Sequence, residues 1–145
     1  MFRYSIREIM IRKIKNMYIC HCDASYNESE KTGSMGLVVF DRDNQVCLKQ
    51  SKKLGQNIVT SLHAELLALN ESLLVLKSMN MKDVLVNIDQ RGIVNKINES
   101  KYLKSKHKEV YKPIMDEITY NLQSLEAELA WVHRNKNKIA DKLSR

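Results

Sequence analysis

The sequence predicts one α/β domain with a five-stranded mixed sheet flanked by helices, in the order βββαβααβα. Two observations carry this prediction. Short β-prone runs separated by polar turns come first along the chain, and the later strands alternate with helical segments. A helix between the fourth and fifth strands favours parallel pairing there, whereas the first three strands favour an antiparallel meander, so the sheet should be mixed.

Composition limits the classes of protein to which the chain can belong. Its 145 residues fit one domain, and 43% hydrophobic with 28% charged residues excludes wholesale disorder. No apolar run approaches the length needed to cross a bilayer. Three cysteines without a signal-peptide pattern indicate reduced thiols and a cytoplasmic location. The net charge of +7 modestly favours a nucleic-acid partner.

The first 16 residues are expected to be a basic N-terminal extension, with residues 17–145 forming the domain. This stretch mixes Arg and Lys with scattered Ile and Met. Three alternatives stay open for it: an amphipathic helix, a flexible basic arm, and a consequence of start-site choice, because Met17 stands directly before the first strand.

The first three strands are predicted from β-prone runs and the turns between them. Residues 18–22 form a strand that ends at Asp23, and the polar residues 25–33 form a turn. Residues 36–40 are the second strand, 41–44 a tight polar turn, and 46–50 the hairpin partner.

The remaining elements alternate between helix and strand. Thr60 or Ser61 caps a long helix whose leucines repeat at steps of three and four residues, namely Leu62, Leu66, Leu69, Leu73 and Leu76. Residues 84–88 form a buried strand, 92–97 begin a short helix, and 129–132 form the last strand. Pro113 is expected in the first turn of the third helix, and Asn137 is expected to cap a final helix through Leu143.

Four acids stand where a core would favour apolar side chains. Asp23 and Asp89 follow β-prone runs, Glu65 lies beside the leucine stripe, and Asp141 borders an apolar helix face. Each alone has an ordinary explanation as a turn cap or a solvated side chain. Together, clustered carboxylates raise one another's pKa unless a cation compensates them. Oxygen ligands without His or Cys suit Mg²⁺ or Mn²⁺, and such sites commonly bind two ions about 3.5–4 Å apart.

Four segments resemble the four sequence blocks of type 1 ribonuclease H, in the same order and with similar spacing. They are residues 18–26 (YICHCDASY), 60–69 (TSLHAELLAL), 84–94 (VLVNIDQRGIV) and 131–143 (WVHRNKNKIADKL). The last is similar to the W-V-x-R-x-x-N-x-x-A-D-x-L pattern of the short, reverse-transcriptase-like branch. The resemblance runs from about Met17 to the C-terminus.

That resemblance implies a ribonuclease H-like fold and a metal-dependent endoribonuclease that hydrolyses the RNA strand of RNA–DNA hybrids, leaving 3′-hydroxyl and 5′-phosphate ends. Two Mg²⁺ ions, with Mn²⁺ as a substitute, would be held by four acids. Asp23 would bridge both ions, Asp141 would help hold the water-activating ion, and Glu65 and Asp89 would hold the other. His133 would assist catalysis, as a mobile His does in some members. The implied nucleic-acid contacts are Ala24, Ser25, Gln90, Arg91, Arg134 and Asn137.

Departures from the family pattern leave other functions open. Ala24 and Gln90 replace a usual Gly and Ser, and the long basic handle is reduced to five lysines: Lys101, Lys104, Lys106, Lys108 and Lys112. Weak hybrid affinity is therefore expected. The alternatives are a weakly active or non-catalytic nucleic-acid-binding module on the same scaffold, and a nuclease for another duplex or for single-stranded RNA. A monomer without a membrane partner is expected.

Other chemically distinctive residues favour ordinary structural interpretations. Cys20 and Cys22 are better small buried hydrophobic residues than zinc ligands, because no second ligand pair exists. For Trp131, which lies in a predicted strand, packing in the core is favoured over stacking on a base. For His63, a position on the helix surface is favoured over a substrate contact.

Overall fold

One mixed sheet organises the computed structural model, which describes residues 17–145; the predicted N-terminal extension, residues 1–16, lies outside the described residues. The strands are β1 (Tyr18–Asn27), β2 (Thr32–Phe40), β3 (Val46–Gly55), β4 (Val84–Ile88) and β5 (Glu128–Trp131). The α-helices of the described part are α1 (Ser61–Ser78), α2 (Arg91–Asn98), α3 (Lys108–Ser124) and α4 (Lys138–Ser144), with a short 3₁₀ turn at Arg134–Lys136.

The predicted order of elements and the mixed sheet are confirmed. The strands lie in the order β3-β2-β1-β4-β5. The β1–β2 and β2–β3 pairs are antiparallel, and the β1–β4 and β4–β5 pairs are parallel. The long central strand β1 therefore has an antiparallel neighbour on one side and a parallel one on the other.

The first three strands are longer than predicted. The antiparallel ladder of β1 and β2 continues to the pair Asn27–Thr32, and β3 extends to Gly55. The Asn27 side chain closes the intervening turn by accepting hydrogen bonds from the Ser29 hydroxyl and the Glu30 amide. Asp23 consequently lies within β1, and the prediction that the strand ends there is wrong. Backbone pairing with β2 outweighs the polar composition of residues 25–33.

The predicted position of Pro113 is also wrong. Helix α3 begins at Lys108, so Pro113 lies inside it, beyond the first turn. The helix begins early because the His107 carbonyl accepts hydrogen bonds from the Val110 and Tyr111 amides, and Tyr111 is buried at 1% exposed. Pro113 itself is exposed, so water can solvate the helical carbonyl that lacks an amide partner.

The leucine stripe of α1 forms the centre of the core. Leu66, Leu69, Leu73 and Leu76 are all fully buried, together with Cys20 and Cys22 of β1. Burial raises the pKa of both thiols, which keeps them protonated, so the two cysteines serve as apolar core residues as predicted. Among residues 17–145, no helix has the length and apolarity that a membrane-spanning segment requires.

The beginning of α1 contains a buried histidine that was expected on the surface. Thr60 is the N-cap, and its side chain accepts a hydrogen bond from the His63 amide. The His63 ring is turned inward, where Nδ1 accepts from the Val59 amide at 3.1 Å and the ring packs against Tyr111 of α3. His63 is therefore a structural residue of the contact between α1 and α3.

Candidate active site

Three carboxylates from three separate elements converge beside the centre of the sheet. One oxygen each from Asp23, Glu65 and Asp89 lies within 4.8 Å of the others. Asp23 and Asp89 stand two residues beyond His21 and Asn87, which pair in the parallel β1–β4 ladder. Parallel register therefore places these two aspartates side by side, and Glu65, in the second turn of α1, reaches them from the helix.

Two of these acids, Asp23 and Glu65, hold protons more tightly than ordinary carboxyl groups. Burial raises the pKa of Asp23 to about 7, with further contributions from the charge of Asp89 and a hydrogen bond to Asp141. Burial also raises the pKa of Glu65 to about 9, with help from the charges of Asp23 and Asp89. A nearby positive charge would relieve this repulsion, because it stabilises the ionised form of each group.

The fourth predicted acid, Asp141, lies on α4 beside Asp23 but is not one of the three whose oxygens meet within 4.8 Å. Its carboxyl group hydrogen-bonds that of Asp23. It also pairs with the Arg145 guanidinium at 3.2 Å, although that arginine side chain is 68% exposed. The structure thus brings all four acids into one region, and one of them already has a cationic partner.

Helix α4 is held close against the sheet, and this contact places Asp141. Gly36 of β2, the ladder partner of Asp23, faces the helix: a Cβ added to it would come within 2.1 Å of the Ala140 carbonyl oxygen. The Ser144 carbonyl accepts hydrogen bonds from the hydroxyls of Ser25 and Ser34. Close approach of backbone to backbone therefore fixes the distance between α4 and β1.

Asn137 connects α4 to the acids, and its side chain lies inside the protein rather than on the surface. It is 1% exposed. Its amide nitrogen donates to the Cys22 carbonyl at 3.0 Å and to Asp89 Oδ2 at 3.3 Å, and its Oδ1 lies 3.3 Å from His21 Nδ1. Asn137 is at the N-cap position of α4, but its side chain makes no capping hydrogen bond. The sequence analysis predicted a nucleic-acid contact for Asn137 and no role for His21. A polar residue in a β-prone run is ordinary at a half-buried position, so nothing in the sequence pattern distinguishes His21.

Trp131 lies at the rim of the acidic cluster, and the prediction that it packs in the core is wrong. It is 37% exposed, and its indole N–H donates to the Asp89 carbonyl at 3.3 Å. The Arg91 guanidinium stacks over the indole, 4.1 Å from the ring centre. Because β5 is an edge strand, Trp131 can stay partly exposed while one ring face is covered by arginine.

His133 lies next to Trp131. It is exposed, its ring contacts Trp131 edge-on at 6.2 Å, and Nδ1 accepts from the Asn135 amide at 3.3 Å. Arg134, in the following 3₁₀ turn, is also exposed. Both residues are therefore accessible to solvent, and their predicted roles stay predictions.

The other predicted contacts border the acids along β1 and before α2. Ala24 and Gln90 are half-buried next to Asp23 and Asp89. The Ser25 hydroxyl already donates a hydrogen bond to the Ser144 carbonyl of α4. Ser25 also lines, with Tyr26 and Lys53, a cavity of about 450 Å³. The five lysines of the shortened handle are exposed, and four of them, with Glu109, border an open cavity of about 750 Å³.

The donor set fits a hard divalent cation. The close carboxyls supply only oxygen ligands, which Mg²⁺ and Mn²⁺ accept and which structural zinc sites seldom use alone. Burial, and then the charges of the neighbouring acids, raise the pKa of Asp23 and of Glu65, and a bound cation would favour the ionised form of both groups. Asp23, Glu65 and Asp89 are the residues that would hold such an ion, with Asp141 beside them.

Comparison with known structures identifies the fold. Ribonuclease H1 from the halophilic archaeon Halobacterium salinarum is 16% identical, with a TM-score of 0.76 over 88% of this chain and 94% of that one. The N-terminal ribonuclease H domain of a Mycobacterium tuberculosis protein is 18% identical, with a TM-score of 0.74 over 88% and 90%. LC11-RNase H1, in complex with an RNA/DNA hybrid, is 21% identical, with a TM-score of 0.72 over 88% and 93%. At these identities the likeness establishes the ribonuclease H fold.

Sequence comparison gives the family. No curated protein matches the sequence. The family model described as reverse transcriptase-like matches residues 21–145, which include all four acids and every strand of the sheet except the first residues of β1. The chain therefore belongs to the reverse transcriptase-like family and has a ribonuclease H fold.

Proposed function

We propose that this protein is a metal-dependent endoribonuclease that hydrolyses the RNA strand of RNA–DNA hybrids. The observation that carries the proposal is the convergence of Asp23, Glu65 and Asp89 within 4.8 Å, with raised pKa values at Asp23 and Glu65. Divalent ions bound at such a cluster supply acidity to an attacking water and stabilise charge on the leaving 3′ oxygen. A structural role for three mutually repelling acids would gain nothing from their proximity.

The four acids divide into two groups in this proposal. Asp23, Glu65 and Asp89 form the close set that binds the cation. Asp141 would complete the ligand set, its carboxylate then facing the cation in place of Arg145. That exchange is feasible because the Asp141–Arg145 pair is exposed, and exposed ion pairs contribute only about 0–1 kcal/mol.

The hybrid is the proposed substrate for two reasons. A structural relative, LC11-RNase H1, has been solved in complex with an RNA/DNA hybrid. The rim of the acidic cluster in this chain carries an exposed indole and guanidinium, Trp131 and Arg91, which can contact sugars, bases or phosphates of a duplex placed over the acids. Discrimination between RNA and DNA then rests on 2′-hydroxyl contacts in the minor groove.

A labelled hybrid tests the proposal. The wild-type protein should cut the RNA strand in Mg²⁺ or Mn²⁺, and EDTA should abolish cutting. Asp89→Asn, which removes a charged ligand while keeping the side-chain shape, should reduce cutting by at least about 100-fold. Asp43→Asn is the matched control, because Asp43 is an exposed turn residue, and it should cut like the wild type. Equal rates for Asp89→Asn and the wild type would refute the assignment.

A non-catalytic nucleic-acid-binding module is the second candidate, and the Asp141–Arg145 ion pair favours it. If Arg145 stayed on Asp141, the fourth acid would not bind a cation. This candidate predicts salt-sensitive binding of the hybrid with no cleavage in either metal. Arg145→Ala separates the two, because freeing Asp141 should restore or increase cutting only if the acid serves as a ligand.

A further inference from the structure

A histidine outside the acidic cluster is joined to it through one buried amide. Asn137 has three polar contacts: the Cys22 carbonyl, Asp89 Oδ2 and His21 Nδ1. The first two are an acceptor-only carbonyl and a carboxyl oxygen. The amide nitrogen must therefore face them, because the flipped amide would place its oxygen against two other oxygens. This identifies which end of the amide is the nitrogen, and the amide oxygen faces His21 Nδ1 as the third contact.

This orientation determines the state of the histidine ring. An amide oxygen only accepts hydrogen bonds, so the nitrogen at 3.3 Å from it, His21 Nδ1, must carry a proton. The His21 ring also contacts Phe40, whose ring meets it edge-on with 6.2 Å between the ring centres. His21 thus donates to an amide that donates in turn to Asp89.

The connection reaches three of the four acids. The side-chain amide of Asn137 donates one hydrogen bond to Asp89 and another to the carbonyl of Cys22, the residue before Asp23. Its own carbonyl accepts the Asp141 amide at 3.0 Å. A shift of the Asn137 side chain would therefore change the orientation of the Asp89 carboxyl and the seating of α4 on β1 together.

We propose that His21 is a positioning residue of the acidic site, which acts by holding Asn137 in the orientation that donates to Asp89. This inference rests on the proposed function in that the site is taken to bind a divalent cation. Groups that orient metal ligands from outside typically contribute about 10- to 100-fold to metal affinity. The long 3.3 Å contacts place His21 at the lower end, about 10-fold.

Two variants of equal size test the role. His21→Leu and His21→Asn leave similar space, but only Asn retains an N–H near the position of Nδ1. Mn²⁺ binding measured by calorimetry on the nucleic-acid-free protein should weaken about 10-fold in His21→Leu and stay within about twofold of wild type in His21→Asn. Equal affinities in the two variants would overturn the proposal, because space filling alone would then account for His21.

A direct spectroscopic measurement covers the case in which a variant fails to fold. The ¹⁵N chemical shifts of the His21 ring in the wild-type protein should show the Nδ1–H tautomer, and an Nε2–H tautomer would overturn the proposal. Cleavage separates this inference from the proposed function. A protein that shows the expected tautomer and Mn²⁺ pattern but cuts no hybrid refutes the proposed function only. A protein that cuts hybrid but binds Mn²⁺ equally in both variants refutes the role of His21 only.

Discussion

Replacement of Gly36 by Ala tests whether close contact between α4 and the sheet forms the site. The new Cβ would lie 2.1 Å from the Ala140 carbonyl oxygen, which is 1.3 Å less than the 3.4 Å at which ordinary contact begins. It would also lie 2.6 Å from the Ser144 amide nitrogen, so backbone meets it on two sides and no rotamer change removes the clash. Helix α4 must therefore move outward by about an ångström, and overpacking of this kind costs about 1–3 kcal/mol.

Stability and cleavage should both respond to this change. The midpoint of thermal unfolding should fall by about 4 °C for each kcal/mol lost. Asp141 belongs to α4 and would move with it. Cleavage of the hybrid should therefore fall by about 100-fold although all four acids remain, because a displacement of about an ångström can reduce a rate by that factor. Gly92→Ala is the matched control: an added Cβ meets nothing within 4 Å there, and the change should stabilise α2 by up to about 1 kcal/mol. A Gly36→Ala protein as stable as the wild type would show that α4 does not contact β2 as described.

Three further predictions concern charge, fluorescence and the core. In EDTA, the free energy of unfolding should fall as the pH rises from about 4 to about 9. The reason is that the folded protein keeps protons on Asp23 (pKa about 7) and Glu65 (pKa about 9), whereas the unfolded chain releases them near pH 3.8 and 4.5. Urea titrations across this pH range measure the effect, and a stability that does not change with pH would contradict the prediction. The intrinsic fluorescence should change when hybrid is added in Ca²⁺ or EDTA, since Trp131, the only tryptophan, stands partly exposed at the rim; unchanged emission at saturating hybrid would remove it from the interface. Asn70→Leu should cost about 1–3 kcal/mol in urea unfolding, because the buried Asn121 amide loses its acceptor at 2.9 Å, and a neutral effect would contradict that hydrogen bond.

Local patterns in the sequence were sufficient for the fold because they agree with the tertiary contacts. The leucine spacing of α1 is typical of an amphipathic helix, the short apolar run of β4 favours a buried strand, and the helices α2 and α3 between β4 and β5 favour parallel pairing. Strand ends were less predictable. Residues 25–33 are mostly polar, and the pairing of β1 with β2 as far as Asn27–Thr32 keeps the first of them extended.

The candidate site was predictable as a set of acids but not as a set of contacts. Acidic residues in apolar surroundings are visible in a sequence, and the structure brings Asp23, Glu65 and Asp89 together. The Asp141–Arg145 pair and the hydrogen bonds of Asn137 depend on how α4 meets the sheet, which side-chain type alone does not specify. Trp131 shows the same limit, because its exposure follows from the edge position of β5.

Because β1 and β4 pair in parallel, cation binding at the acidic cluster depends on the alignment of these two strands. A slip of one residue between these strands would move Asp89 by ~3.3 Å relative to Asp23 and turn it toward the opposite side of the sheet. Such a slipped fold would keep its helices and most of its hydrophobic content, yet Asp89 would no longer lie beside Asp23. Binding of a divalent cation would therefore distinguish the correctly aligned molecule from a near-native misfolded one that circular dichroism would score as intact.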